Sequence, residues 1–286
     1  MEWSLILLPE ASDRRTMELQ VLVATMNQQD LSLAQKMNLQ QNAVIANQCG
    51  DWRYEETPAG AGTIRMLSTG TRGVGVNRNL ALQLATADIL LFADDDIVYY
   101  DSDLQPVIDA FKQLPDADVI FFSVDITKGG AIHEKRHDTI KRVHLWNSLR
   151  YGTYRIAVRR ESIIKKRIGF SPLFGGGCMY GSGEDTLFIL DCLKAGLHLY
   201  SHEYVLGACA KDSSTWFTGY TDKYFFDRGA MLACGFPMAK HLLKWYFGIK
   251  LGRKSGVSLG KIIRLMNAGI KAFRTLTPYQ EPEKQS

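Results

Sequence analysis

The stretch ILLFADDDIVYYD, residues 89–101, sets an apolar run directly against three consecutive carboxylates, Asp94, Asp95 and Asp96. Residues 88–93 read as a strand buried on both faces, because the apolar run is continuous rather than alternating. Outward from it, strand-like and helix-like segments alternate. Residues 19–25 are apolar and β-rich, and 31–41 show helical spacing. Residues 43–46 and 64–68 are short strands. Val76, Leu80 and Leu84 mark a helix at i, i+4 and i+8. Leu104, Val107, Ile108, Phe111 and Leu114 mark another, closed by Pro115, and 119–124 form the next strand. Beyond Tyr154 the pattern loosens, with a glycine-rich loop at 175–183 and a helix from Glu184. The alternation predicts an α/β fold with a central, mostly parallel sheet flanked by helices. Such sheets bind ligands at the carboxyl ends of their strands. The polar residues there are Thr25 and Asn27, then Asn47 and Asp51, then Asp94 to Asp96. They are expected to converge on one crevice.

The chain has 286 residues, 46% hydrophobic and 22% charged, which excludes a disordered or low-complexity protein. Five cysteines without a C-x-x-C pair exclude a zinc ribbon and a disulfide scaffold, and fit a reducing, cytoplasmic setting. No apolar run reaches the ~18 residues of a membrane span. The opening Met1-Glu2-Trp3 lacks the basic start of a signal peptide, and residues 5–8 read as a strand or packing segment.

Charge is uneven. Net charge is +4, yet residues 228–280 hold ten lysines and arginines and no acid. The remainder is therefore acidic, which suggests two jobs and a division at 1–235 and 236–286. Residues 259–276 read as a helix with Leu259, Ile262, Ile263, Met266, Ile270 and Phe273 within about 100°. Lys261, Arg264, Lys271 and Arg274 occupy the adjoining face. This helix either lies on an anionic membrane surface, together with the aromatic segment Trp245-Tyr246-Phe247, or docks on the body. No nucleic-acid-binding motif is present, and none is expected as a partner.

Three adjacent carboxylates repel one another; either they form an acidic turn in water or a divalent cation resolves the conflict, and their position at a strand end favours the cation. Oxygen ligands suit Mg²⁺ or Mn²⁺, shared with substrate phosphates. In an extended segment Asp94 and Asp96 point one way and Asp95 the other. Phosphate loops of other kinds are weak here: residues 256–261 fall one residue short of a Walker loop, and Gly73-Val74-Gly75 follows the wrong strand. A second pair, Glu184 and Asp185, starts a helix after GGGCMYGSG. Helix capping accounts for carboxylates there. A general base acting on a hydroxyl accounts for them equally.

The order of these motifs resembles family 2 glycosyltransferases, inverting GT-A-fold enzymes of the bacterial capsule and exopolysaccharide type that use nucleotide-sugar donors. The resemblance runs from Thr25-Met26-Asn27 through RGVGVNRNLAL (72–82) and the Asp-x-Asp of Asp94 and Asp96 to Gly183-Glu184-Asp185. The later SSTWFTGY and FFDRGA segments extend it to about residue 230. It implies that Thr25, Asn27 and Asn47 border the nucleotide and that Arg78 reaches its base or diphosphate. It implies that Asp94 and Asp95 lie near ribose and sugar. Asp96, with Asp94, would hold Mn²⁺ or Mg²⁺. Asp185 would be the base, supported by Glu184, and Trp216 would stack on an acceptor sugar. Two positions depart from the family pattern: Asn47-Gln48 replace acidic residues after the second strand, and Ala24 replaces a proline. UDP remains the expected nucleotide. The implied acceptor is a saccharide, lipid-linked at the inner face of the cell membrane. The rival readings are a sugar-phosphate nucleotidyltransferase and a non-catalytic nucleotide-sugar-binding scaffold on the membrane.

Overall fold

The computed structural model describes residues 16–128, 131–132, 136–148, 151–210 and 219–281. Its centre is a block of parallel strands in the order β4-β2-β1-β5: β1 (Leu19–Met26), β2 (Ala43–Gln48), β4 (Gly62–Thr69) and β5 (Ile89–Asp94). Along β1, Val21 and Val23 point into one apolar layer with Ile45 and Leu91. Leu22 points into the other with Val44, Leu90 and Phe92. Both faces are covered, which is why the strands are apolar throughout.

An antiparallel strand, β3 (Arg53–Ala59), closes one edge against β4. On the other side β10 (Ile156–Arg159) runs antiparallel to both β5 and β7 (Val119–Lys128). Then comes β11 (Leu199–Ala210), parallel to β7, and β6 (Ile97–Tyr99), antiparallel to β11. Two short strands, β8 (Ala131–Ile132) and β9 (Lys141–Val143), pair with β7 and β11. Helices α1 (Ser32–Lys36), α2 (Val74–Leu84), α3 (Gln105–Gln113), α4 (Arg160–Lys165) and α5 (Glu184–Lys194) intervene along the chain. The expected α/β architecture with a mostly parallel centre is present.

Two local readings differ. Residues 31–41 supply only the single turn α1, because Asn38 turns the chain with φ 58°. Leu33, Met37 and Leu39 still reach the core, so the spacing recorded burial rather than helix length. Strand β3 carried no apolar signal. Its residues, RYEETPA, are alternately half-buried and exposed, as an edge strand with a proline permits.

The C-terminal segment forms α6 (Asp222–Gly235), α7 (Lys240–Ser255) and α8 (Leu259–Thr275). The apolar sector of 259–276 docks on the body: Ile262, Ile263, Met266 and Ile270 are buried against neighbouring helices. Helices α6 and α8 cross at glycines. A Cβ on Gly229 would lie 2.1 Å from the Met266 carbonyl oxygen, and one on Gly269 would lie 1.9 Å from that of Phe226. Among the described residues no helix is long and apolar enough to cross a membrane.

This crossing gives a direct test. Gly269→Ala is expected to lower unfolding free energy by about 1–3 kcal/mol in urea melts, since backbone must move to admit the methyl group. Gly260→Ala, in the same helix with nothing within 4 Å, is expected to leave stability unchanged or raise it.

Candidate active site

At the carboxyl end of the parallel strands, β5 ends at Asp94 and the chain turns at once into β6. The turn replaces the expected strand alternation with three divergent directions. Asp94 Oδ1 accepts from Arg78 Nη2 at 2.8 Å. Asp95 Oδ2 accepts from the Thr25 hydroxyl at 2.5 Å. Asp96 Oδ2 accepts from the Cys209 thiol at 3.1 Å. Each carboxylate thus reports to a different element: α2, β1 and β11.

Arg78 is the hub. It lies on α2, is 5% exposed, and sits over the Phe170 ring. Its Nη1 also donates to Glu184 Oε1 and Asp185 Oδ1, each at 3.3 Å. One guanidinium therefore holds carboxylates from the end of β5 and the start of α5. Among the described residues no other cation pairs with any of Asp94, Asp95, Asp96, Glu184 or Asp185. Burial, together with the neighbouring Asp185, pushes the Glu184 carboxyl up to about 7, against the pull of Arg78. Asp185 is also raised by desolvation, opposed by Arg78 and by a hydrogen bond from the Thr153 hydroxyl. Partial burial, with Asp94 and Asp95 beside it, raises Asp96 as well.

Asp185 is held asymmetrically. Arg78 and Thr153 both donate to Oδ1. Among the described residues no side-chain hydrogen bond reaches Oδ2, the Thr153 backbone also bears on the carboxylate, and the side chain is 32% exposed. The side-chain clamps fall on one oxygen.

The loop before α5 folds back on itself, with Gly175 N–H donating to Tyr180 O and Tyr180 N–H to Leu173 O. Gly175 has φ 106°, and a Cβ there would lie 2.5 Å from Val74 Cγ1 and 2.9 Å from Glu184 Cδ. This glycine makes room for Glu184 itself. From α6, buried Asp227 accepts from Gly181 N–H at 2.8 Å and from Lys223, whose ammonium also reaches Met179 O. FFDRGA therefore latches the loop that carries the two carboxylates.

The remaining expected residues sit as follows. Thr25 is buried and joins Asp95. Asn27 is exposed in the left-handed region at φ 57°, which asparagine tolerates. Asn47 is fully buried. It accepts from Gln28 N–H and donates to Gln28 O and the Ser68 hydroxyl, so it moors the loop after β1 rather than lining open space. Trp216 lies outside the described residues. Thr153, Cys209, Asp227 and Asn77, whose amide bridges Thr25 O and Ala46 O, were not singled out from sequence. Only Asn77 and Asp227 lay inside quoted motifs.

The model for "Glycosyl transferase family 2" matches residues 56–172. That span contains Arg78 and the acidic triplet. Over that span the chain matches the family 2 glycosyltransferase model. Its fold, GT-A, is that of solved Staphylococcus aureus TarS structures. TarS 1-349 in complex with UDP-GlcNAc superposes with TM-score 0.56 at 14% identity, covering 92% of this chain and 93% of that one. TarS 1-349 alone gives 0.57 at 15%, with the same coverage, and its UDP complex gives 0.54 at 15%, covering 94% and 95%. Against the longer TarS structure the match covers 83% of this chain and 43% of that one. No curated protein matches the chain.

Two outcomes follow from the hub. Arg78→Ala leaves three carboxylates uncompensated and is expected to cost about 2–4 kcal/mol in denaturant melts near neutral pH. Glu184 has an ordinary value of 4.5 and a folded value of about 7. The folded protein keeps a proton that the unfolded chain loses, so this group lowers stability as pH rises between those values. Glu184→Gln is expected to flatten the pH slope of stability across that window relative to wild type. An identical slope would remove the strain assigned to Glu184.

Proposed function

We propose that this glycosyltransferase domain inverts configuration as it moves a sugar from a nucleotide-sugar donor, a UDP-sugar first, onto a saccharide hydroxyl. The observation that carries the reading is Asp185, whose side-chain clamps fall on Oδ1, beside the acidic triplet. A base for this chemistry needs a fixed orientation and a free lone pair within reach of the incoming hydroxyl. The UDP-GlcNAc and UDP named in the TarS structures support the choice of donor.

The residues divide the work. Asp185 Oδ2 takes the proton of the acceptor hydroxyl as that oxygen bonds to the anomeric carbon. The bond from that carbon to the nucleoside diphosphate breaks in the same displacement, so no enzyme-bound sugar forms. Thr153 and Arg78 hold the base in one orientation, and Glu184, close to neutral, limits the negative charge beside it. Five carboxylates against one arginine leave an excess of negative charge; among the described residues no three of them converge on one point, so a divalent cation here would be shared with the oxygens of the donor diphosphate. Asp96 and Asp94 would hold Mn²⁺ or Mg²⁺, which when bound neutralises charge on the leaving diphosphate. The acceptor in this reading is lipid-linked, in the assembly of a cell-surface polysaccharide at the inner face of the membrane.

The test is release of nucleoside diphosphate from a panel of UDP-, GDP- and dTDP-sugars, with Mn²⁺ or Mg²⁺ and saccharide acceptors. Wild type is expected to turn over one donor. Asp185→Asn is expected to bind that donor and lose roughly 10²–10⁴-fold in rate. Asp96→Ala is expected to lose the response to metal. Transfer by Asp185→Asn at the wild-type rate contradicts the base assignment. Donor binding without turnover under every acceptor condition points to the scaffold.

A further inference from the structure

Helix α7 is apolar on two opposite sides. One side, with Leu243, Phe247 and Leu251, packs against α6 and α8. The other carries Leu242, Trp245, Tyr246 and Ile249 at 74%, 50%, 56% and 45% exposure. These four fall within about 100° of one another on the helical wheel, the width of a buried stripe. Met238, 98% exposed just before the helix, extends the same line. A two-sided apolar helix normally has partners on both sides.

We propose that the outer face of α7 is a docking surface for an anionic lipid bilayer. Three features select that occupant. First, Trp245 and Tyr246 are the amphipathic aromatics that settle at headgroup depth. Second, Lys250 and Arg253 stand exposed beside and within the stripe, and Lys250 reaches over the Tyr246 ring at 5.8 Å. Third, no acid occurs anywhere in 228–280 to offset them. A second copy of the chain is disfavoured by the same charge. A twofold interface sets a face against itself, and here it would bring two uncompensated cationic segments together. A protein partner is disfavoured by the lysine at the margin of so short a stripe. Of the two segments that the sequence offered to a membrane, 259–276 has its apolar face covered by α6 and α7, while Trp245-Tyr246-Phe247 leaves Trp245 and Tyr246 exposed on α7.

The surface specifies where a lipid-linked acceptor would be met, yet its test does not depend on the transferase reading. The full chain is sedimented with vesicles of phosphatidylcholine mixed with phosphatidylglycerol, and with vesicles of pure phosphatidylcholine. Binding is expected to the anionic vesicles, weakening as salt is raised. Trp245→Glu with Ile249→Glu is expected to weaken it roughly tenfold or more. Lys250→Ala with Arg253→Ala is expected to weaken it about twenty-five-fold, at about fivefold per cation. All four side chains are exposed, so unchanged circular dichroism and unchanged melting confirm that the variants fold. Equal binding by wild type and both variants overturns the proposal. So does a failure of wild type to bind anionic vesicles, or a wild-type dimer in solution that Trp245→Glu with Ile249→Glu dissociates. Sugar-nucleotide turnover with a water-soluble acceptor, measured on the same samples, reports separately on the catalytic reading.

Discussion

The Arg78 guanidinium is the constraint on which the site depends. It is nearly buried and reaches Asp94, Glu184 and Asp185 at once. An isolated charge at such a position would be very costly, and so would three carboxylates without it. Together they fix the end of β5 relative to the start of α5, although these lie about ninety residues apart in the chain. The arginine does not balance the site. Asp95 and Asp96 add two further carboxylates, and Glu184 is pushed toward neutrality by burial and by its neighbours. The site is held together by one cation and left with room, electrostatically, for another.

The scaffold around this hub serves to hold it still. Asn77, one residue before Arg78, ties α2 to the ends of β1 and β2. Asn47 clamps the loop after β1 through Gln28. Val74 N–H accepts the loop before α5 as a partner by donating to Gly176 O, and Asp227 secures that loop from the other side. Helix α6 is itself locked by the glycine crossing with α8. The C-terminal helices therefore contribute to the order of the loop before α5, and they also present the outer face of α7. The division of the chain between body and C-terminal segment passes through a packed helical unit.

Much of this was legible in the sequence where burial and periodicity coincide. The parallel strands are apolar on both faces, and the acidic triplet marks the end of one of them. What was not legible depends on contacts between distant segments. Strand β3 is polar because only one of its sides packs, so no apolar run announced it. Asp94, Asp95 and Asp96 look alike in sequence, but the turn after Asp94 sends each to a different partner. Thr153 sits in an irregular stretch, and only the fold brings its hydroxyl to Asp185. The amphipathic pattern of 259–276 is real, yet periodicity reports an apolar face without saying what covers it. In α7 two apolar faces overlap on one helix, which blurs the periodic signal of each.

The account turns on whether this excess of carboxylate is a nucleotide-binding site. Calorimetric titration of UDP with Mn²⁺ into the protein, repeated near neutral pH in buffers of different ionisation enthalpy, tests that most directly. The bound cation should draw protons from the raised carboxyls, Glu184 among them, so the proton release should be smaller in Glu184→Gln than in wild type. Absence of binding, or binding with the same proton count in wild type and Glu184→Gln, would contradict the account.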